Sequence, residues 1–244
     1  MGQLIAVLSG KGGTGKTSVC AGVATALAAE GLRVLCIDCD VGLRNLDIPL
    51  GLSDTAALSF LEICQGNHSF SQLLPHPTFP TLFFLTAPMN RSADDIDPET
   101  FYAMLRSARD QFDYIFLDAP AGVDAGFRLA AKKADRILLV TGPDPAAVRD
   151  AGRTGQLLEL MGKDNVRLIV NRVAPKLVST MERTVDDVMD AAGLPLLGVV
   201  PEDPNVTLAA AFGKPLLTYT KKGAAAACKR IACRLYGMPV RIDL

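Results

Sequence analysis

The segment from Gly10 to Thr17 has the residue types and the spacing that binding of a phosphate chain requires. It reads Gly10-Lys11-Gly12-Gly13-Thr14-Gly15-Lys16-Thr17 and fits the pattern G-x-x-x-x-G-K-[S/T]. Glycines let successive backbone N–H groups converge on one oxyanion. Lys16 can reach the β- and γ-phosphates, and the Thr17 hydroxyl can be a ligand of Mg²⁺. The pattern predicts that main-chain amides between residues 10 and 18, including that of Ser18, bind a nucleoside triphosphate.

The same glycines also satisfy a second pattern. Gly10-x-Gly12-x-x-Gly15 matches the dinucleotide-binding fingerprint, and Asp38 follows about 20 residues beyond it, where a ribose-binding acid belongs. A dinucleotide loop, however, has no need of Lys16-Thr17 at the phosphates. The eight-residue pattern therefore favours a triphosphate over a dinucleotide, and also over a glycine-rich turn without a ligand.

Carboxylates follow two other apolar runs, where Mg²⁺ and an attacking water would need them. One run ends in Asp38-Cys39-Asp40, and the other, Tyr114-Ile115-Phe116-Leu117-Asp118, has the form of a Walker B strand. We expect Asp118 to hold Mg²⁺ through water, Asp40 to orient or deprotonate the attacking water, and Asp38 to lie near the metal shell. The alternative is ordinary turn chemistry, since Asp is common after strands. Together with the phosphate loop, the pattern favours the functional interpretation.

These residues must be positioned by alternating strands and helices. Runs that are apolar at nearly every residue indicate strands covered on both faces. The alternation predicts βαβ units and an α/β fold, a single P-loop NTPase domain with a mostly parallel, twisted sheet and helices on both faces. The candidate strands are 3–8, 33–38, 82–86, 113–118, 136–141, 166–171 and 196–200, and the candidate helices are 16–30, 98–111, 124–133, 145–161, 182–192 and 224–236. The domain is predicted to span 1–244, with 224–236 as its last helix and 237–244 as a short tail.

Composition excludes several classes of protein. The chain has 244 residues, a formal net charge of −1, 49% hydrophobic residues and 21% charged residues. These values exclude a disordered chain and, by bulk charge, a strongly basic polyanion binder. Six cysteines and no apparent secretory signal predict reduced thiols in a cytosol-like compartment.

Lys11, an extra lysine early in the loop, resembles the deviant phosphate loop of the MinD/ParA family of ATPases, although taken alone it could equally be a solvated loop lysine. The strings Asp38 to Asp47 and Asp118 to Gly122 are similar to the two switch segments of the MinD branch, and the likeness extends over residues 1 to about 236. It implies binding of ATP with Mg²⁺ and a homodimer in the ATP-bound state. It also implies catalytic roles for Lys11, Lys16 and Asp40, with Lys11 reaching the partner's nucleotide, and metal roles for Thr17 and Asp118.

The resemblance also implies where the base binds. Asn171-Arg172 and the segment 198–203 are similar to the base-recognition segments of the family. Asn171 is then expected to hydrogen-bond the adenine, with Pro201, Glu202 and Asp203 beside the base. Without the family, Asn171 would be interpreted as a strand-end cap.

The function that the resemblance implies is a slow, partner-stimulated ATPase acting in the spatial regulation of cell division, with regulators of the MinC and MinE type. Its location would be cytoplasmic and peripheral at the inner face of the cell membrane. The helix 224–236 has an apolar face of small residues, namely Ala224, Ala227, Cys228, Ile231 and Leu235, which predicts core packing and at most weak membrane contact. A nearby basic cluster leaves weak attraction to anionic lipid or DNA open, but DNA is not the expected partner.

Other functions use the same loop. A positioning ATPase for flagella or for DNA partition is one alternative, although Leu43-Arg44-Asn45-Leu46-Asp47 favours the MinD branch over the partition type. An Mg-ATP-dependent synthetase or kinase with a small-molecule acceptor is another, and a nucleotide-binding scaffold without hydrolysis is a third.

Overall fold

The computed structural model describes residues 1–89, 91–174 and 185–242. Their strands form one seven-stranded sheet in the order β3-β2-β4-β1-β5-β6-β7, in which every neighbouring pair is parallel. The strands are β1 (Gln3–Leu8), β2 (Val34–Asp38), β3 (Leu82–Leu85), β4 (Tyr114–Asp118), β5 (Arg136–Thr141), β6 (Val166–Val173) and β7 (Leu196–Pro201). The predicted fold class is confirmed, and each predicted strand is present.

Helices cover both faces of this sheet. In the described residues they are α1 (Lys16–Ala29), α2 (Asp47–Leu50), α3 (Phe60–Cys64), α4 (Pro98–Arg109), α5 (Ala125–Lys132), α6 (Pro145–Leu160), α7 (Val185–Ala192), α8 (Pro204–Ala211), α9 (Leu216–Tyr219) and α10 (Ala224–Leu235). The sequence prediction missed α2, α3, α8 and α9. The first residues of the predicted helix 182–192, and residues 243–244 of the predicted tail, lie outside the described residues.

The side chains of β1 show why the central strands are apolar throughout. Leu4, Ala6 and Leu8 belong to the core beneath α4, α5 and α6, whereas Ile5 and Val7 belong to the core beneath α1 and α10. All five are fully buried. A strand that is covered on both faces has no position for a solvated side chain, so the pattern is continuous rather than alternating.

The last helix, α10, is a core helix. The apolar face predicted from the sequence is buried along its whole length. Helix α1 packs against it so closely that a Cβ on Gly22 would lie 2.6 Å from Sγ of Cys228. Arg234, one of the basic residues of this helix, donates to the backbone carbonyls of Leu197 and Val240. Core packing is therefore confirmed, and none of the described helices is both long enough and apolar enough to span a bilayer.

The parallel sheet brings the two acidic strand ends beside the phosphate loop. All carboxyl ends lie on one edge, and β4 pairs with β1 on one side and with β2 on the other. In this register, Asp118 is opposite Val7 and also opposite Asp38. The loop that follows β1 therefore starts next to Asp118, and Asp38 lies one strand further along the same edge.

Candidate functional site

The loop between β1 and α1 depends on its glycines for its shape. Gly13 and Gly15 both have φ +81°, a left-handed conformation that side chains rarely adopt. The backbone at Gly10 lies so close to α6 that a Cβ there would be 2.5 Å from Oγ1 of Thr154. Helix α1 begins without a side-chain cap. Its first N–H groups are therefore left for an external acceptor such as a phosphate.

Lys16 and Asp118 form a buried ion pair directly behind this loop. Lys16 Nζ lies 2.6 Å from Asp118 Oδ1, and the two side chains are only 7% and 1% exposed. Burial alone would lower the pKa of Lys16, but the Asp118 carboxylate opposes this, and the net shift is upward. Burial raises the pKa of Asp118, against the lowering effect of Lys16. The pair keeps a cation in place at the position where phosphates would arrive.

The donor set fits Mg²⁺ and a phosphate chain. The Thr14 hydroxyl is buried and has no hydrogen-bond partner among the described residues. Lys16 Nζ donates to the Thr17 hydroxyl over 3.4 Å and to Asp118 Oδ1 over 2.6 Å, so two of the predicted metal ligands meet at one ammonium group. A hydroxyl and a carboxylate are hard oxygen ligands of the kind that Mg²⁺ takes alongside water and phosphate. Thr17 and Asp118 would therefore hold the ion, which supplies charge neutralisation at the phosphates.

A cavity of about 190 Å³ opens beside the loop at the ends of β6 and β7. The four predicted base-binding residues, Asn171, Pro201, Glu202 and Asp203, all line it. Their polar groups already have protein partners, however. The Asn171 amide donates to the Thr14 carbonyl over 2.8 Å. The Asp203 carboxylate accepts the backbone N–H groups of Asn205 and Ala224, which stabilises the first turns of α8 and α10.

Asp38 anchors the loop that follows β2. Its carboxylate accepts three backbone N–H groups, from Asp40, Asn45 and Leu46, at 2.9, 2.9 and 3.0 Å. Burial raises the pKa of Asp38, and these three hydrogen bonds act in the opposite direction. Both carboxylate oxygens accept hydrogen bonds from the loop after β2, which is the turn chemistry considered from the sequence. The place of Asp38 near the metal shell stays a prediction.

Replacing Asp38 with alanine should lower the free energy of unfolding by about 3 kcal/mol, because three N–H groups lose their acceptor. Chemical denaturation measures this change. Asp54→Ala is the matched control, since Asp54 is an exposed aspartate shortly after the same loop and should change stability by less than about 0.5 kcal/mol. Equal stability of the two variants would contradict the structural role of Asp38.

Lys11 and Asp40, the other predicted catalytic residues, lie at the same edge. Asp40 is half-buried and close enough to act electrostatically on both Lys16 and Asp118. Lys11 is exposed at the tip of the loop, next to the exposed Gly12 and Gly13. The structure therefore gathers the predicted residues at one place, with Lys16 inside the site and Lys11 outside it.

Arg172 contacts both sides of the cavity. Its guanidinium donates to the Gly13 carbonyl and to the Glu202 carboxylate. The sequence placed Arg172 in a base-recognition segment with Asn171 but assigned no contact to its own side chain.

Residues 5–216 match the family model of the CobQ/CobB/MinD/ParA nucleotide binding domain. The chain belongs to this family. Within the CobQ/CobB/MinD/ParA family, it is 38% identical over 243 residues to a septum site-determining protein MinD of Synechocystis, an alignment that covers 98% of this chain and 91% of that protein.

Solved structures agree with this assignment. The MinD of a MinC:MinD cell division protein complex from Aquifex aeolicus superposes with a TM-score of 0.91 at 34% identity, covering 99% of this chain and 98% of that one. MinD from Pyrococcus horikoshii, complexed with Mg-ADP, gives a TM-score of 0.84 at 28% identity, with 97% of each chain covered.

Family membership and these relatives confirm several expectations that came from the sequence. The chain is an ATPase of the MinD type that acts in septum site determination, and its cofactors are ATP and Mg²⁺. The roles of individual residues remain predictions.

Proposed function

We propose that this ATPase is a switch that forms a homodimer when ATP is bound and hydrolyses slowly until a protein partner stimulates it. The observation that carries this proposal is the contrast between two lysines of one loop. Lys16 is 7% exposed and ion-paired inside the site, whereas Lys11 projects from the exposed tip. A cation in that position is suited to the phosphates of a second copy.

The surface around Lys11 supports a face-to-face contact. Leu43, Met89 and Val123 are large apolar residues that are 66%, 60% and 40% exposed. They lie on the loops that follow β2, β3 and β4, so all three belong to the carboxyl edge of the sheet. Apolar residues exposed around a charged site are typical of an interface, and a two-fold axis through this edge would pair each patch with its copy.

Each part of the chemistry is then assigned to named groups of this chain. The amides of residues 10–18 and Lys16 bind the phosphates, and Thr17 and Asp118 hold Mg²⁺. Asp40 accepts a proton from, or orients, the attacking water. Asp38 holds the loop that carries Asp40, so that the position of Asp40 depends on a segment anchored beside Asp118. A loop of this kind can have two conformations, and a bound γ-phosphate can favour one of them over the other.

Lys11→Ala should prevent dimerisation while leaving ATP affinity within about 3-fold of the parent, because Lys11 is outside the chain's own site. The measurement is light scattering after gel filtration, in an Asp40→Ala background so that ATP persists. The parent should be a dimer with ATP and Mg²⁺ and a monomer with ADP. Lys229→Ala, which removes an exposed lysine from α10, is the control and should dimerise normally. A Lys11→Ala variant that dimerises with ATP would contradict the role of Lys11.

A MinC-type protein is the partner we propose, with a MinE-type activator and a location in the cytoplasm, peripheral at the inner face of the cell membrane. The MinC:MinD complex of Aquifex aeolicus supports the first of these. Membrane contact should be weak, since the apolar face of α10 is buried, and DNA is not an expected ligand.

Phosphate release is the direct test of the activity. Slow release with ATP alone, rising with the protein partner, is expected, whereas rapid formation of ADP only with a small acceptor would favour a synthetase or kinase.

A further inference from the structure

The end of β6 turns two consecutive side chains toward the phosphate loop. The pairing of β6 with β7 shifts register between Val170 and Val173, and Arg172 has φ 61°, the only positive φ of a non-glycine among the described residues. In a regular strand, Asn171 and Arg172 would point to opposite faces. The irregularity directs both at the loop, which is a known use of β-bulges beside active sites.

The two side chains anchor adjacent peptide groups of that loop. Arg172 Nη1 donates to the Gly13 carbonyl over 3.0 Å, and Asn171 Nδ2 donates to the Thr14 carbonyl over 2.8 Å. In a planar trans peptide, the C=O and the N–H point in opposite directions. Fixing these two carbonyls on the β6 side therefore aims the N–H groups of Thr14 and Gly15 away from β6, toward the interior of the loop where phosphates would bind.

The other end of the Arg172 guanidinium is bound to the loop that follows β7. Nε and Nη2 lie 2.9 and 3.3 Å from the two carboxylate oxygens of Glu202, a bidentate arrangement. The hydrogen bonds and charge of Glu202 raise the pKa of Arg172. Both side chains are about half exposed, 54% and 49%, so the pair contributes little to folding stability. Its geometry nevertheless connects the two walls of the nucleotide cavity, both of which are lined by these residues.

We propose that Arg172 is a positioning residue that holds the phosphate loop in its binding conformation and, with Glu202, forms a strap across the mouth of the nucleotide cavity. The inference rests on the proposed binding of nucleotide at this site. Release of nucleotide then requires the strap to open, and the strap sets the rate of nucleotide exchange. The strained backbone at Arg172 persists because the side chain is held at both ends.

The test is the release rate of a fluorescent ADP analogue, followed by stopped-flow chase with excess ATP. Arg172→Ala should release ADP about 10-fold faster, because both the loop anchor and the ion pair are lost. Glu202→Gln keeps the anchor and loses only the charge, so about a 3-fold increase is expected. Arg172→Lys, which keeps one cationic contact, should lie between the parent and Arg172→Ala. The association rate constant of the ADP analogue should change by less than about 2-fold, because substitutions at a binding contact act mostly on the dissociation rate.

A glycine variant separates this role from a merely structural one. Arg172→Gly removes the strap and also relieves the positive φ, so it should be at least as stable to denaturant as Arg172→Ala, yet release ADP as fast. Arg167→Ala is the matched control on the same strand, at the far end from the loop, and should release ADP at the parent rate. Parent-like release from Arg172→Ala and Arg172→Gly would overturn the strap, as would equally fast release from Arg167→Ala. Failure of the unsubstituted protein to bind ADP would instead overturn the proposed function.

Discussion

Replacing Lys16 with alanine is expected to weaken ATP binding by at least about 100-fold, because the phosphates lose their charge-assisted hydrogen bonds. The same change leaves Asp118 buried without its partner, 1% exposed and no longer facing the Nζ that lay 2.6 Å away. An unpaired buried carboxylate costs about 3 kcal/mol of folding stability. Calorimetric titration with ATP and Mg²⁺ measures the first effect, and thermal unfolding measures the second.

Lys11→Ala serves as the control for this experiment. It removes a lysine from the same loop but from its exposed tip, and it should retain both affinity and stability. ATP affinity in Lys16→Ala equal to that of Lys11→Ala would show that the buried lysine is not the phosphate ligand.

Asp40→Ala should bind ATP and dimerise but hydrolyse it about 100-fold or more slowly, since positioned acid–base groups contribute 10²–10⁴-fold. The side chain is half-buried and lies within electrostatic reach of Lys16 and Asp118. Its backbone N–H, which bonds to Asp38, is unaffected by the substitution. The loop should therefore remain anchored while the carboxylate is lost.

Single-turnover hydrolysis, compared with ATP affinity measured separately, tests this expectation. Asp54→Ala, an exposed aspartate in the segment after α2, is the matched control and should turn over at the parent rate. Turnover by Asp40→Ala at the rate of that control would remove Asp40 from the mechanism.

The sequence predicted the sheet well because most strand positions are buried on both faces, and burial leaves short, nearly continuous apolar runs. It predicted the phosphate loop for a related reason, since a left-handed turn such as those at Gly13 and Gly15 admits few residues other than glycine. The missed helices have no apolar pattern set by burial on both faces. Helix α8 is apolar around most of its circumference, so periodicity did not find it, although Asp203-Pro204 is a typical helix start.

The sequence did not indicate those contacts of the site that join distant segments of the chain. The sequence places an acid after β2, but only the fold shows three N–H groups converging on Asp38. Asp203, expected beside the base, lines the cavity, and the sequence did not indicate that its carboxylate also accepts the N–H groups of Asn205 and Ala224. Arg172 depends on an irregularity in pairing between β6 and β7. Nothing in a local sequence pattern encodes such an irregularity.

The position of β1 in the sheet has a consequence for how the chain is made. Among the described residues β1 pairs with β4 and β5, so Gln3 cannot pair until Tyr114 has been made, nor Ile5 with β5 until Arg136 has been made. At about 5–20 residues per second, the first strand leaves the ribosome's catalytic centre roughly 5 to 20 s before a neighbour exists for it. Strand β1, in which Leu4 to Leu8 are all apolar, therefore spends that interval unpaired, and an unpaired apolar strand is the kind of segment that aggregates when chaperones are scarce.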